Sequence, residues 1–424
     1  MSTPGGPALA RRLGTVDATV VGLSAMLGAG VFVAFAPAAE AAGSGLLVAL
    51  GIAAVIAFCN AVASAQLASS YPASGGTYLF GREVLGPWWG FLAGWGFVVG
   101  KTASCTAMAM TFAAYALPDT TSGAGDDGAG WWQRGLAALV VVAFTVLNLR
   151  GITRTATAAR VLLVTTLAVL LGFLLIAATG EAGPTVPLEA TGGAWGVLQA
   201  AGLLFFAFAG YARIATLAEE VRRPEQLGRA ILVALGTAVV LYLLVGLALV
   251  EVLGADLPGN PVPVAAATEA VGAAWAVPVV RIGAAAAALG ALLALLAGVG
   301  RTTLAMARER DLPAPLASVD ARHQVPDTAQ VVIGAAVVAL VLLADVRGAI
   351  GFSSFGVLVY YAVANLSALR QPAEQRRWPR GLQVLGLAGC LVMTAALPIG
   401  SVLAGLAVFA VGILGRAVAL RRRT

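Results

Sequence analysis

The sequence contains one lysine, and it lies where an ionisable group is least expected. Lys101 is the only lysine among 424 residues, and no other charge occurs between Val98 and Met110. An ammonium inside an apolar stretch long enough to cross a membrane is costly, so such residues usually mark a functional site. A lysine can also extend its ammonium to an interface or bond backbone carbonyls within a helix bundle. We interpret Lys101 as a site residue, because its flanks offer no nearby interface.

Two apolar stretches are interrupted by glycine at corresponding places in the chain. They read Gly22-Leu-Ser-Ala-Met-Leu-Gly-Ala-Gly-Val-Phe32 and Gly202-Leu-Leu-Phe-Phe-Ala-Phe-Ala-Gly-Tyr211. Paired broken helices of this kind indicate an inverted repeat with a binding site near the bilayer midplane. Glycines also let membrane helices pack closely, which explains many of the others. For Gly28 and Gly30 we favour the binding role, because the second block has a matching break.

The residues available for enzymatic or metal chemistry are few. The sole histidine, His323, follows the eighth apolar stretch, and Cys59, Cys105 and Cys390 all lie inside such stretches. An odd, buried set of cysteines is not typical of disulfides or metal ligation. No nucleophile–base pair or phosphate-binding loop lies in or near the apolar stretches. We therefore predict no metal, no cofactor and no covalent chemistry.

The elements that must position these residues are membrane-spanning helices. The chain is 60% apolar and 11% charged, with a mean hydropathy of +0.92. Since a span needs roughly 20 apolar residues, we predict about twelve spans, at residues 17–36, 45–66, 87–117, 133–149, 157–179, 195–217, 229–253, 272–300, 328–344, 347–369, 381–397 and 399–420. The expected fold is all-α, with inverted repeats of five spans each at 17–179 and 195–369 and two further helices within 381–420.

Arginine placement predicts how the spans are oriented. Cationic residues favour cytoplasmic loops close to span ends. Arginines precede the first span and recur in alternate connections, whereas the connections at 119–130, 180–193 and 254–269 are acidic or neutral. We therefore expect a multi-pass protein of the cell (inner) membrane, in contact with the lipid bilayer, with cytoplasmic tails at 1–16 and 421–424. The net charge of +6 reflects this topology, and nucleic-acid binding is not needed to explain it.

Five short motifs connect the chain to a known group of transporters. In order they are Gly28-Ala-Gly-Val-Phe32, Tyr71-Pro-Ala-Ser-Gly-Gly-Thr-Tyr78, Gly86-Pro-Trp-Trp-Gly-Phe-Leu-Ala-Gly-Trp95, Ala218-Glu-Glu-Val-Arg-Arg-Pro224 and Ala305-Met-Ala-Arg-Glu-Arg-Asp-Leu-Pro313. On these motifs, and over nearly its whole length, the chain resembles the amino acid–polyamine–organocation superfamily, which has the leucine-transporter-like fold. The resemblance implies a secondary transporter for an amino acid or related amine, working by alternating access.

The same resemblance implies how the substrate is held. An unwound helix frees backbone N–H groups for a carboxylate and C=O groups for an ammonium, and glycine permits the turn and the close approach. By resemblance, the N–H groups around Ala29 and Gly30 hold the carboxylate. The carbonyl groups of Met26, Phe206 and Ala209 hold the ammonium.

Several side chains are expected to face the substrate. By resemblance to arginine/agmatine-type members, Lys101 lies on the substrate-facing side of span three, and Cys105, one turn further on, shares that side. Phe206 and Phe208 would flank the substrate, with Phe206 as a lid. Ordinary packing explains Phe208 equally well.

The inner gate is the second region that the resemblance places. The Tyr71–Tyr78 motif is expected in a cytoplasmic loop of the gate region. Glu219 and Glu220 end span six, where they form either a gate salt bridge or ordinary solvated charges. Arg213 lies near the pocket or pairs with one of these acids.

The distribution of acids favours a neutral or acidic substrate. No carboxylate occupies the centre of a span, since the acids nearest to spans all lie at span ends: Asp17, Glu40, Glu83, Glu219, Glu220 and Glu251. A cationic side chain would meet Lys101 and no counter-ion. We therefore predict a permease for a small, neutral amino acid. The alternatives are a cationic amino acid or polyamine exchanger and, from another class, a membrane sensor that binds an amino acid without moving it.

The coupling ion is left open by the sequence. Proton-coupled relatives often carry a lysine in span five, and the chain has Thr165 or Thr166 in that place. A hydroxyl cannot supply the missing charge. Proton coupling through the usual residue is therefore in doubt, and Lys101 is the candidate substitute for coupling to a proton.

Overall fold

The computed structural model describes residues 14–71, 75–117, 130–151, 155–181, 183–211 and 227–421, and these fold almost entirely into α-helices. The helices are α1 (Thr15–Met26), α2 (Gly30–Val33), α3 (Phe35–Ala42), α4 (Leu46–Ser70), α5 (Thr77–Leu85), α6 (Pro87–Ala116), α7 (Trp131–Leu149), α8 (Thr155–Thr179), α9 (Gly193–Phe208), α10 (Leu227–Leu253), α11 (Pro263–Ala270), α12 (Val277–Arg308), α13 (Asp327–Leu343), α14 (Val346–Arg370), α15 (Arg380–Ala396) and α16 (Ile399–Arg421). Helices predominate because each one pairs its own backbone groups, as hydrocarbon requires. Within these ranges the one isolated β-bridge joins Gly43 to Ala190.

The lengths and composition of these helices confirm an all-α, multi-pass membrane protein. Eight helices of the described chain are long and apolar enough to cross a membrane, and a bent N-terminal pair makes a ninth. Three shorter apolar helices, α9, α13 and α15, contain 16, 17 and 17 residues. Most predicted boundaries match helix ends to within a few residues. The exceptions are α12, which continues eight residues past the predicted end of span eight, and α3, which continues six residues past that of span one. The predicted end of span six, at residue 217, lies outside the described residues. The count of twelve spans stays a prediction.

Two short helices lie in connections where the sequence analysis expected loops. Helix α5 follows Gly75 and Gly76, whose φ angles of 136° and 55° suit glycine alone. It buries Thr77 and Tyr78, so the expectation of a loop through the end of the Tyr71–Tyr78 motif is wrong. Helix α11 lies at the opposite end of the bundle and contacts α2, α8 and α12.

Helix α6, which carries Lys101, lies at the centre of the bundle. It packs against α12 and α14, and 78% of its most apolar 18-residue stretch is buried within the protein. The corresponding figure for α16 is 17%, so that helix lies at the edge and presents most of its surface to lipid. Around the N-terminal span, α1 packs against α8 and α10, while α4 packs against α9.

Three arginines lie at the end of the bundle that the sequence analysis described as acidic or neutral. Arg134 and Arg281 donate to carbonyls at the C-terminal ends of α13 and α6, and Arg347 pairs with Glu40. Carbonyls at a helix C-terminus carry partial negative charge and accept such donors. These arginines were missed because they lie within the first five residues of helices and not in the connections.

Candidate functional site

The first span is interrupted directly after Met26. The backbone N–H groups of Gly28 and Ala29 have no hydrogen-bond partner within the described chain. The next turn is tight, because the N–H of Phe32 donates to the carbonyl of Ala29 at 2.9 Å. The first N–H groups of α2 are unpaired as well, as at every helix start. Free N–H groups therefore cluster where the sequence predicts the substrate carboxylate.

A second bend follows within the same span. The segments Ala18–Val33 and Phe35–Ala42 meet at 55°. Pro37 explains this bend, because proline has no N–H and its ring clashes with the carbonyl four residues earlier, at Val33.

The second predicted break contacts the first. Helix α9 ends at Phe208, and one 3-10 turn, Ala209–Tyr211, follows. A Cβ on Gly30 would lie 2.7 Å from the Cα of Ala207, and a Cβ on Gly210 would lie 2.4 Å from the carbonyl oxygen of Ala25. Both distances are too short for any side chain, so glycine is required for this contact. The structure thus brings the two glycine-interrupted segments together.

Lys101 reaches this junction from α6. Its side chain is buried, and its Nζ donates to the carbonyl oxygen of Ala209 at 3.3 Å. No carboxylate in the described chain pairs with it. Cys105 is also buried, one turn further along α6. The ammonium of Lys101 therefore donates to a carbonyl at which the substrate ammonium was expected.

Tyr242 of α10 is a site residue that the sequence analysis missed. Its hydroxyl lies 2.6 Å from the carbonyl oxygen of Met26 and 3.1 Å from that of Ala207. One hydroxyl proton can serve one of these acceptors at a time. Two of the three carbonyls expected to bind the ammonium, those of Met26 and Ala209, thus already accept hydrogen bonds. The signal available in the sequence was a tyrosine in the middle of an otherwise apolar span.

The remaining predicted residues divide into described and undescribed positions. Phe206 and Phe208 are buried, and the Phe208 ring packs edge-on against Tyr242 with centroids 5.0 Å apart, which favours its packing role. The gate candidates Arg213, Glu219 and Glu220 lie outside the described residues and stay predictions.

In span five, one of the two threonines faces the protein interior. Thr166 is buried, whereas Thr165 is partly exposed. Burial therefore favours Thr166 over Thr165 for the position at which the resemblance implies a lysine in proton-coupled relatives.

A charge cluster closes the arginine-rich end of the bundle. Asp311, directly after α12, accepts from Tyr78, Arg82 and Arg416 at 2.8 Å each. Arg82 also reaches Glu309 at 3.2 Å. Burial, together with the Asp311 carboxylate, raises the pKa of the Tyr78 phenol, so the hydroxyl stays a donor. This cluster joins α5, α12 and α16, and the sequence analysis did not predict it.

Replacing Asp311 with asparagine is expected to destabilise the protein by about 3 kcal/mol, because Arg416 is left buried without its counter-charge. Unfolding of the purified protein in detergent micelles measures this change. Glu40→Gln is the matched control, since it removes an ion pair whose side chains are 34% and 46% exposed and costs less than about 1 kcal/mol. Equal stability of the two variants would contradict a role for the cluster.

The comparisons with known proteins identify the family of the chain. The profile of the amino acid permease family matches residues 13–417, so the chain belongs to that family and the predicted resemblance is confirmed. An uncharacterized transporter of Mycobacterium tuberculosis is 53% identical over 409 residues, which cover 96% of this chain and 90% of the relative. The branched-chain amino acid permease BcaP of Bacillus subtilis is 28% identical, over 91% of this chain and 86% of the relative. The vacuolar cationic amino acid transporter 4 of Arabidopsis thaliana is 29% identical, over 85% of this chain and 63% of the relative. The chain is therefore a membrane transporter of the amino acid permease family.

Proposed function

We propose that this permease moves a small, neutral amino acid across the cell membrane by alternating access, with both termini in the cytoplasm. The observation that supports it best is the contact between Lys101 and the carbonyl of Ala209 at the junction of the two broken helices. The free N–H groups of Gly28 and Ala29 provide the opposite pole, where a carboxylate fits. A zwitterion placed between these groups would have both charges matched by backbone.

The charge at the junction argues against a cationic side chain. Among the described residues, Lys101 is the one ionisable cation at the junction, and none of their carboxylates pairs with it. A second cation would add repulsion in a region of low dielectric constant. The name of the Bacillus subtilis relative, a branched-chain amino acid permease, is in line with a neutral substrate. The name of the Arabidopsis thaliana relative, a cationic amino acid transporter, makes arginine the necessary competitor to test.

Lys101 is also the residue that we propose for coupling. Its ammonium and the substrate ammonium would compete for the Ala209 carbonyl, so substrate binding would have to displace Lys101. Displacement of a buried cation is eased if it gives up its proton to water. We propose that transport is coupled to protons by this competition, with Thr166 of span five taking no part in charge transfer.

A competition panel in proteoliposomes tests the proposed substrate. Leucine, alanine and other neutral amino acids are expected to inhibit radiolabel counterflow, whereas arginine and putrescine are expected to inhibit at least about tenfold more weakly, a difference of 1.4 kcal/mol. Strong, saturable inhibition by arginine would overturn the charge argument and favour a cationic exchanger. Binding without any counterflow would instead favour a sensor.

A further inference from the structure

A cavity at the arginine-rich end of the bundle lies apart from the junction of the broken helices. Its volume is about 500 Å³, and it opens between the end of α4, the start of α10 and the connection from α14 to α15. Its walls combine Arg229, Arg377 and Trp378 with the polar Gln66 and with small or apolar residues of α4 and α10. From this cavity we infer a binding site for one anionic phospholipid.

The cavity has a fixed wall. The buried Gln66 accepts hydrogen bonds at its Oε1 from the backbone N–H groups of Arg377 and Trp378, at 3.1 and 3.3 Å. The Nε2 of the same residue donates to Gln371 at 2.8 Å. These bonds hold the α14–α15 connection against α4, so Arg377 and Trp378 have a defined place at the rim.

The part of the cavity lined by Arg229 and Arg377 suits a phosphate. Neither Arg229 nor Arg377 has a carboxylate partner within the described chain. Both residues line the cavity and are exposed. Guanidinium groups bind phosphate oxygens in bidentate geometry. Basic pockets between helices on the cytoplasmic side are typical of anionic lipid binding.

The other end of the cavity suits an acyl chain. From Val233, an exposed apolar stripe continues along α10 through Val240, Leu244 and Leu247, whose exposed fractions are 51%, 57%, 43% and 43%. This stripe faces lipid, so a chain attached to the bound phosphate can lie along it. Trp378 at the rim has the amphipathic ring that is enriched at membrane interfaces. Together these features fit a phospholipid better than a free phosphate, because a free phosphate has no acyl chain to lie along the apolar stripe.

Native mass spectrometry of the delipidated protein tests this site. Phosphatidylglycerol and phosphatidylcholine with identical acyl chains are the probes. We expect one phosphatidylglycerol to bind in preference to phosphatidylcholine. The double variant Arg229→Gln/Arg377→Gln is expected to weaken that binding by about fivefold for each arginine removed, because each arginine contributes the attraction of about one positive charge for the lipid phosphate. Arg229→Lys/Arg377→Lys is expected to retain most of it.

The control is Arg308→Gln/Arg322→Gln, which removes two exposed arginines from the same end but outside the cavity. It is expected to bind phosphatidylglycerol as the wild type does. Counterflow in phosphatidylcholine vesicles checks that the variants are folded, and wild-type counterflow is expected for both. Equal binding of the two lipids by the wild type, unchanged binding by the cavity variant, or full displacement of the lipid by glycerol 1-phosphate would overturn the inference.

Discussion

Replacing Gly30 with valine is expected to abolish substrate binding while leaving the amount of protein in the membrane largely unchanged. A Cβ at this position would lie 2.7 Å from the Cα of Ala207, so the backbones of the two broken helices must move apart. We expect binding to fall at least about 100-fold, or 2.7 kcal/mol. Gly28→Val is expected to act similarly, because its Cβ would lie 2.8 Å from the Cβ of Ala291. Scintillation proximity binding of a labelled neutral amino acid measures both.

Gly51→Val is the matched control for these variants. It introduces the same side chain into an apolar helix, at a position where a Cβ meets nothing within 4 Å. Binding and counterflow by this variant should equal those of the wild type. Normal transport by Gly30→Val or Gly28→Val would show that the substrate binds elsewhere.

Replacing Lys101 with alanine is expected to remove the dependence of transport on pH while substrate exchange continues. The ammonium donates to the Ala209 carbonyl in the described structure, and its loss leaves that carbonyl to the substrate alone. We expect uptake driven by a pH jump to fall at least about tenfold, equivalent to 1.4 kcal/mol, with counterflow retained. Both assays use the same proteoliposome preparation.

Other outcomes for Lys101→Ala assign the lysine to other roles. Weaker binding with an unchanged pH profile would indicate direct contact with an anionic substrate. Changes of less than a few-fold in both assays, about 1 kcal/mol, would remove Lys101 from the site. Lys101→Met is the matched control, because methionine keeps most of the side-chain volume without the charge. A change that is due only to the cavity left by alanine would therefore be absent from this variant.

The sequence predicted the helices and the break, but not the contacts between distant spans. Apolar length indicated most of the boundaries, since each span must cross the same hydrocarbon thickness. Glycine spacing indicated the break at Gly28 and Gly30, and the absence of other charges indicated Lys101. The bond from Tyr242 to the Met26 carbonyl depends on how α10 packs against α1, and no local pattern encodes that packing.

The charge cluster illustrates the same limit at the ends of the spans. No role for Asp311 was predicted from the sequence, because arginines and acids at span ends are ordinary in membrane proteins. Its burial depends on Arg82 from one end of the chain and Arg416 from the other, which meet only in the folded bundle.

The dependence of Asp311 on Arg416 has a consequence for how the protein is made. The ribosome completes α1 to α12 and Asp311 long before it reaches α16, so the nascent chain carries this carboxylate without one of its partners. A buried charge that lacks a partner is costly. A chain that terminates before Arg416 would contain both broken helices and Lys101, yet Asp311 would lack one of its two arginine partners. The order of synthesis therefore makes the packing of the last helix the step that completes this end of the bundle.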